Sequence, residues 1–204
     1  MRSKTVLLGC LAQNAKNTTA KRGRAGCGLK REVDVSSEFF PNEIRVGDPT
    51  MKTLLDHTRY RPRDIIFLLN NIQQRTRGSI PTAEDLWKGI RSYSLNYLIN
   101  EINDELYGYL TSDEREDAIM LLDSMNKSVF SLKELEYKKN ERFDSLDLIK
   151  VLNALFNCSA IGNVKKTRDY GNIYSMKYRN PYASFDPNED IVIHFGLRKA
   201  LNKL

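Results

Sequence analysis

From about Phe39 onward, apolar residues recur mostly with the helical period. Pro49 and Thr50 open a short helix that carries Leu54, Leu55 and His57. Residues 61–74 follow, with Ile65, Ile66, Leu69 and Ile72 on one face and Phe67 and Leu68 widening it. Gly78 and Pro81 break the pattern. Thr82 and Asp85 then form a capping-box-like start to a long helix reaching about Leu110. Trp87, Ile90, Tyr93, Leu95, Tyr97, Leu98, Ile102 and Leu106 supply its apolar positions, which read as core and interhelix contacts.

The second half is built differently. Ser112-Asp113-Glu114 reads as the cap of a helix bearing Ala118, Ile119, Leu121, Leu122 and Met125. Ser128-Val129-Phe130 is a short extended piece, Ser131 with Glu134 caps a brief helix, and Asp144 to Asp147 starts another through Leu148, Leu152, Leu155 and Phe156. Ile173 to Tyr178 alternates like a strand, Ile191-Val192-Ile193 reads as a second, and residues 195–204 close as a helix. Helix, short strand, two helices and a two-stranded ribbon is the order of a winged helix-turn-helix. The fold class expected is therefore mainly α, with a small β-ribbon.

Charge changes the picture less than its total suggests. The formal net charge is +6, and residues 1–35 alone hold eight Lys or Arg against Glu32 and Asp34. The remaining 24 basic and 24 acidic side chains cancel. Residues 1–37 are thus expected to be a basic, poorly ordered tail able to touch a polyanion. Within it, residues 23–30 approach a phosphate-binding loop, but Leu29 stands where lysine is required and no apolar strand precedes it. Cys10, Cys27 and Cys158 form no close pair, and His57 and His194 complete no zinc pattern. This sparse set suits a reducing cytoplasm. The apolar stretch at Val6–Cys10 is too short for a secretion signal, and no apolar run is long enough to cross a bilayer.

The most informative stretch is Thr58-Arg59-Tyr60-Arg61-Pro62-Arg63-Asp64, which runs straight into an apolar helix. Proline fits the first helical turn, so Arg63 sits at a helix start that favours negative charge. Either an anion meets it there, or the arginines pair with nearby acids such as Asp56 and Asp64.

Phe39-Phe40-Pro41-Asn42-Glu43-Ile44, residues 56–66 with their Arg-Pro-Arg-Asp, and the closing Ile193-His194-Phe195-Gly196-Leu197-Arg198-Lys199 give the chain a family likeness. Together they resemble the C-terminal part of bacterial P-loop ATPases of the FunZ type, in the wider STAND and AAA-like group. The likeness covers roughly residues 38–204. It implies a helical lid-like subdomain over 38–110 and a winged-helix domain over 111–204. It also implies that Arg63 is a sensor arginine reaching the phosphate of ATP, with Arg61 a second contact. The departure is that no Gly-x-x-x-x-Gly-Lys-[Ser/Thr] occurs anywhere. No ATPase activity is expected from this chain alone, since phosphoryl transfer needs cradled phosphates and a metal. ATP and Mg would come with a P-loop core on another segment or chain, and a truncated ATPase is the expectation that follows.

The rival class is a DNA- or protein-binding module. Helix 144–157 offers only Lys150, Asn153 and Asn157, behind Asp144 and Asp147. Lys165, Lys166, Arg168, Lys177 and Arg179 on the ribbon suit nonspecific phosphate contacts better. Hydrolase chemistry has no support: there is no Gly-x-Ser-x-Gly, and His194 sits among apolar neighbours as a structural histidine. The acidic run 113–117 reads as helix-start carboxylates and solvated surface, not as a metal site.

Overall fold

The computed structural model describes residues 40–167 and 171–203. The near-phosphate loop, Cys10, Cys27, the basic residues of the tail and Arg168 lie outside them.

A small hairpin, β1 (Glu43–Arg45) and β2 (Asp48–Pro49), leads directly into α1 (Thr50–Asp56). Gly47 makes its turn possible with φ +82°, a left-handed conformation open to glycine. Helix α2 (Pro62–Arg75) begins with proline in its first turn, as its sequence requires. Helix α3 (Ala83–Tyr93) starts with a full capping box between Thr82 and Asp85. The single long helix expected here is interrupted by a π-helical turn, Ser94–Leu98, before α4 (Ile99–Leu106). That wider turn leaves Tyr93, Tyr97 and Leu98 all facing inward, with Leu95 and Asn96 outward. Helix α4 stops at Leu106 rather than Leu110, because Tyr107, Gly108 and Tyr109 turn back onto its last carbonyls.

Helices α2 and α3 pack closely. A Cβ on Gly89 would stand 2.6 Å from the Ile72 Cα, so only glycine lets the two backbones approach this far.

Helix α5 (Ser112–Ser124) is capped by Thr111, whose hydroxyl accepts from Glu114 N, and not by Ser112. Strand β3 (Val129–Phe130) precedes α6 (Leu132–Arg142), which Ser131 and Glu134 cap as expected. Helix α7 (Leu148–Asn157) starts three residues later than Asp144 suggests: Asp144 and Ser145 form a turn, and Asp147 is the cap. Strands β4 (Ile161–Thr167), β5 (Gly171–Ser175) and β6 (Asp190–Ile193) follow, and α8 (Phe195–Ala200) comes last among the described elements.

The sheet is antiparallel, in the order β3-β6-β4-β5. The two segments expected to pair as a ribbon are therefore not neighbours. Strand β4 lies between them, with Ile161 opposite Ile193 and Lys165 opposite Ile173. Strand β5 also ends before Met176, whose carbonyl accepts from Arg179 N and Asn180 N and turns the chain.

The architecture is mainly α with one small antiparallel sheet. Its main apolar core runs from Phe40 to Leu201 without a break at the Tyr107–Leu110 turn. Helix α8 returns to pack on α3 and the π turn. Its start is held by His194, which is fully buried and accepts from Gly196 N at Nδ1 (3.1 Å). A side chain at Gly196 would collide with the His57 carbonyl and with Leu98. Among the described residues no helix is long and apolar enough to cross a membrane.

Candidate functional site

The turn between α1 and α2, with the first turn of α2, carries three arginines at alternate positions, and their fates differ. Tyr60 takes a left-handed φ of 57°, a conformation unusual for a bulky residue. It is held by its hydroxyl on Asp56 Oδ1 (2.9 Å) and by its ring stacked on Tyr178. The reversal sends Arg59 inward and leaves Arg61 and Arg63 on the surface.

Arg59 is fully buried. Its backbone N and Nε donate to Asp64 Oδ2 (3.2 and 3.1 Å), and Nη1 donates to Glu105 Oε1 (2.8 Å). Glu101 Oε2 lies 3.9 Å from its Nη2. Asp64, itself buried in the first turn of α2, also accepts from the Tyr97 hydroxyl (3.0 Å). Burial opposes the charge on Arg59, but Asp64 and Glu105 more than offset it. Burial first, and Asp64 second, push the Tyr97 phenol above its ordinary range, so it remains a donor. This is a satisfied buried charge network, which costs little only because every member has partners.

Arg61 and Arg63 do not pair with Asp56 or Asp64. Asp64 belongs to Arg59, and Asp56 is shared by Lys52, Tyr60 and Arg179. The surface arginines reach instead to α4: Arg61 to Glu105, and Arg63 to Glu101 at 2.8 Å. Their side chains stay 48% and 66% exposed. Arg63 also lies near the stacked rings of Phe67 and Tyr97, which are 4.1 Å apart. Two carboxylates four residues apart on one helix thus serve three guanidiniums.

The ribbon cations are scattered. Lys165 and Lys166 are exposed on β4, with Lys166 3.2 Å from Asp190. Lys177 donates to the Ala183 carbonyl (2.8 Å), and Arg179 is committed to Asp56 and to the Tyr60 and Tyr178 rings. Of the described ribbon set, Lys165 and Lys166 are exposed, Lys177 is half-buried, and Arg179 is the one tied to the first half. The outward face of α7 presents Ile149, Lys150, Asn153 and Asn157, with Lys150 engaged by Glu114 (2.6 Å).

Neither histidine is placed as a free base. Burial lowers the pKa of His57, whose Nδ1 meets the Thr53 carbonyl at 2.7 Å. Burial, with help from His57 and Arg59, pushes His194 down to about 3. Among the described residues, no group of three or more His, Cys, Asp or Glu is placed to hold a metal ion. Cys158 is buried, and its thiol is pushed up to about 12 by that burial.

Arg59, Glu101, Glu105 and Tyr97 are members of this site that sequence reasoning did not nominate. The available signal was the i, i+4 spacing of Glu101 and Glu105 on a helix whose Tyr97 already points inward.

Residues 11–101 match the family model of the FunZ-associated C-terminal helical domain. The match takes in the whole arginine turn and α2, and ends at Glu101. No curated protein sequence and no solved structure matches the chain.

Proposed function

We propose that this chain is an accessory part that works beside a P-loop ATPase core on another segment or chain, with Arg63 and Arg61 as its contacts to a bound nucleotide's phosphates. ATP and Mg would be held by that core. The observation that carries the reading is the pair of exposed guanidiniums at the start of a 14-residue helix, each ion-paired with a carboxylate of α4. Such surface pairs contribute about 0–1 kcal/mol. A triphosphate offers more charge and bidentate acceptor geometry than a lone carboxylate. Arg59 is fixed beneath them and keeps the turn in shape while its neighbours exchange partners. The matched family, a helical domain associated with FunZ, supports an accessory role.

The second half supports a winged helix-turn-helix reading: α5, β3, α6 and α7 in order, with β4 and β6 as the ribbon and β5 an added edge strand. Exposed Lys165 and Lys166 favour a second role in nonspecific DNA contact, whereas the weakly basic outer face of α7 does not favour base reading.

The test is reconstitution with a FunZ-type P-loop core. The chain alone is expected to show no saturable ATP binding. In the mixture, Arg63→Ala is expected to lower ATP hydrolysis at least about 10-fold, in line with the loss of a cation from a phosphoryl-transfer site. Unchanged hydrolysis would remove the sensor role. A salt-sensitive duplex shift lost on Lys165→Glu with Lys166→Glu would establish the DNA-contact reading.

A further inference from the structure

We infer that the groove between the Met125–Lys127 turn and helix α6 binds a base-plus-phosphate unit, from a single-stranded nucleic acid or a free nucleotide. The groove measures about 400 Å³, at the small end of ligand-sized clefts of about 300–1,000 Å³. Its size suits one or two nucleotides rather than a folded partner.

The residues point to this chemistry for separate reasons. Helix α6 fully buries only Leu135, with Leu132 partly buried against the core, and Lys133, Glu134 and Tyr137 are exposed. Tyr137 is 66% exposed on the groove wall. An exposed ring on a rigid helix is a stacking platform that every base can use. The buried Met125 supplies apolar wall beside it. Lys127, Lys133 and Lys138 rim the same space. Lys138 Nζ lies over the Tyr137 ring, 6.0 Å from its centre, so the ring and a cation are already together.

The one acid in the lining is engaged by Lys127 and by its own helix cap. Glu134 Oε2 accepts from Ser131 N (2.9 Å) and Oγ (3.1 Å), and Oε1 is 2.7 Å from Lys127 Nζ. Those bonds, from Lys127 and then Ser131, hold its carboxyl down at about 2. It remains an anion fully used by its own helix cap and one lysine. Lys138 is paired with Glu141 at the surface (2.9 Å), a bond that a phosphate can replace. Lys133 makes no ion pair among the described residues and is free to meet a phosphate. The groove shares no residue with the arginine turn and does not depend on the role proposed there. Nor does it include Lys165 or Lys166.

The experiment is fluorescence anisotropy of the full chain with a labelled single strand of about 12 nucleotides, within the usual range of such sites. AMP and ADP serve as competitors, and polyglutamate as the acidic-peptide control. Binding is expected to weaken about 10-fold or more on Tyr137→Ala. With Lys133→Glu and Lys138→Glu it should weaken further and lose about two units of salt slope. Lys88→Gln, at an exposed lysine on α3 outside the groove, should leave it unchanged. Full competition by AMP or ADP identifies a nucleotide pocket, and competition by unlabelled strand alone identifies a strand site. Either supports the inference. No binding of strand or nucleotide at low salt overturns it. So does binding that survives both groove variants, or polyglutamate competing as well as the strand. Tyr137→Phe should retain binding, which separates loss of the ring from a folding defect.

Discussion

Arg59 Nη1 donates to Glu105 Oε1 across 2.8 Å, and that bond ties the turn ahead of α2 to the last turn of α4. The same guanidinium also engages Asp64, so its removal leaves a buried carboxylate without its main partner. Arg59→Ala is expected to cost about 3–5 kcal/mol of unfolding free energy, the range for breaking a buried pair from one side. Arg61→Ala and Arg63→Ala, in exposed pairs, are expected to cost under about 1 kcal/mol each. Urea unfolding followed by circular dichroism checks the contrast. Equal costs at Arg59 and Arg63 would contradict the burial difference.

Acid should weaken the fold before its carboxylates titrate. Burial lowers His57 and takes His194 to about 3 in the folded protein. Both titrate near 6.5 when unfolded, so the unfolded chain binds more protons between those values. Their stabilising contribution is complete above about pH 6.5 and is lost as pH falls toward the folded values. The slope is at most about 1.4 kcal/mol per pH unit for each imidazole. Thermal unfolding measured from pH 7.5 to 5 should show a falling Tm. His194→Asn, which keeps a side-chain acceptor for Gly196 N, should flatten that fall. A Tm that is level from pH 7 to 5 would contradict the burial of these rings as neutral groups.

Gly89→Ala tests the closest helix approach. The added methyl meets Ile72 Cα at 2.6 Å, and backbone must shift to admit it. The expected loss is about 1–3 kcal/mol, as for overpacking elsewhere, against the slight gain that alanine brings to an open helix position. Chemical denaturation decides the sign.

The cap of α5 separates two adjacent hydroxyls. Thr111→Ala removes the acceptor for Glu114 N and should cost about 1 kcal/mol. Ser112→Ala, one residue inside the helix, should stay within about 0.5 kcal/mol. The reverse order would move the helix start by one residue.

The helices were legible because their signals are local. Pro62 in the first turn, the Thr82–Asp85 and Ser131–Glu134 boxes, and the apolar face of α2 are all read within a few residues. Strand β4 was not. Ile161-Gly162-Asn163-Val164 is short, interrupted by glycine, and buried at all four positions, so it lacks the alternation that marked β5. Its place between β5 and β6 follows from long-range pairing alone. The π turn was equally silent, since its Ser-Leu-Asn-Tyr-Leu continues an ordinary helical pattern. For the site, the exposed arginines were visible, but their partners Glu105 and Glu101 lie 44 and 38 residues away. Arg59 has Asp64 only five residues on, and its second acceptor, Glu105, 46 residues away. Nothing near it in sequence distinguishes a buried guanidinium from its two surface neighbours.

The location of Glu105 bears on how this protein can be dissected. A fragment cut at residue 101, where the family match ends, severs α4 and discards the acceptor of Arg59 Nη1 and of Arg61. It also discards α8, whose first turn covers Leu98 through Gly196. The excised piece would carry an interior cation short of one acceptor and a bared apolar flank, so its melting or clumping would describe the scissors and not the protein.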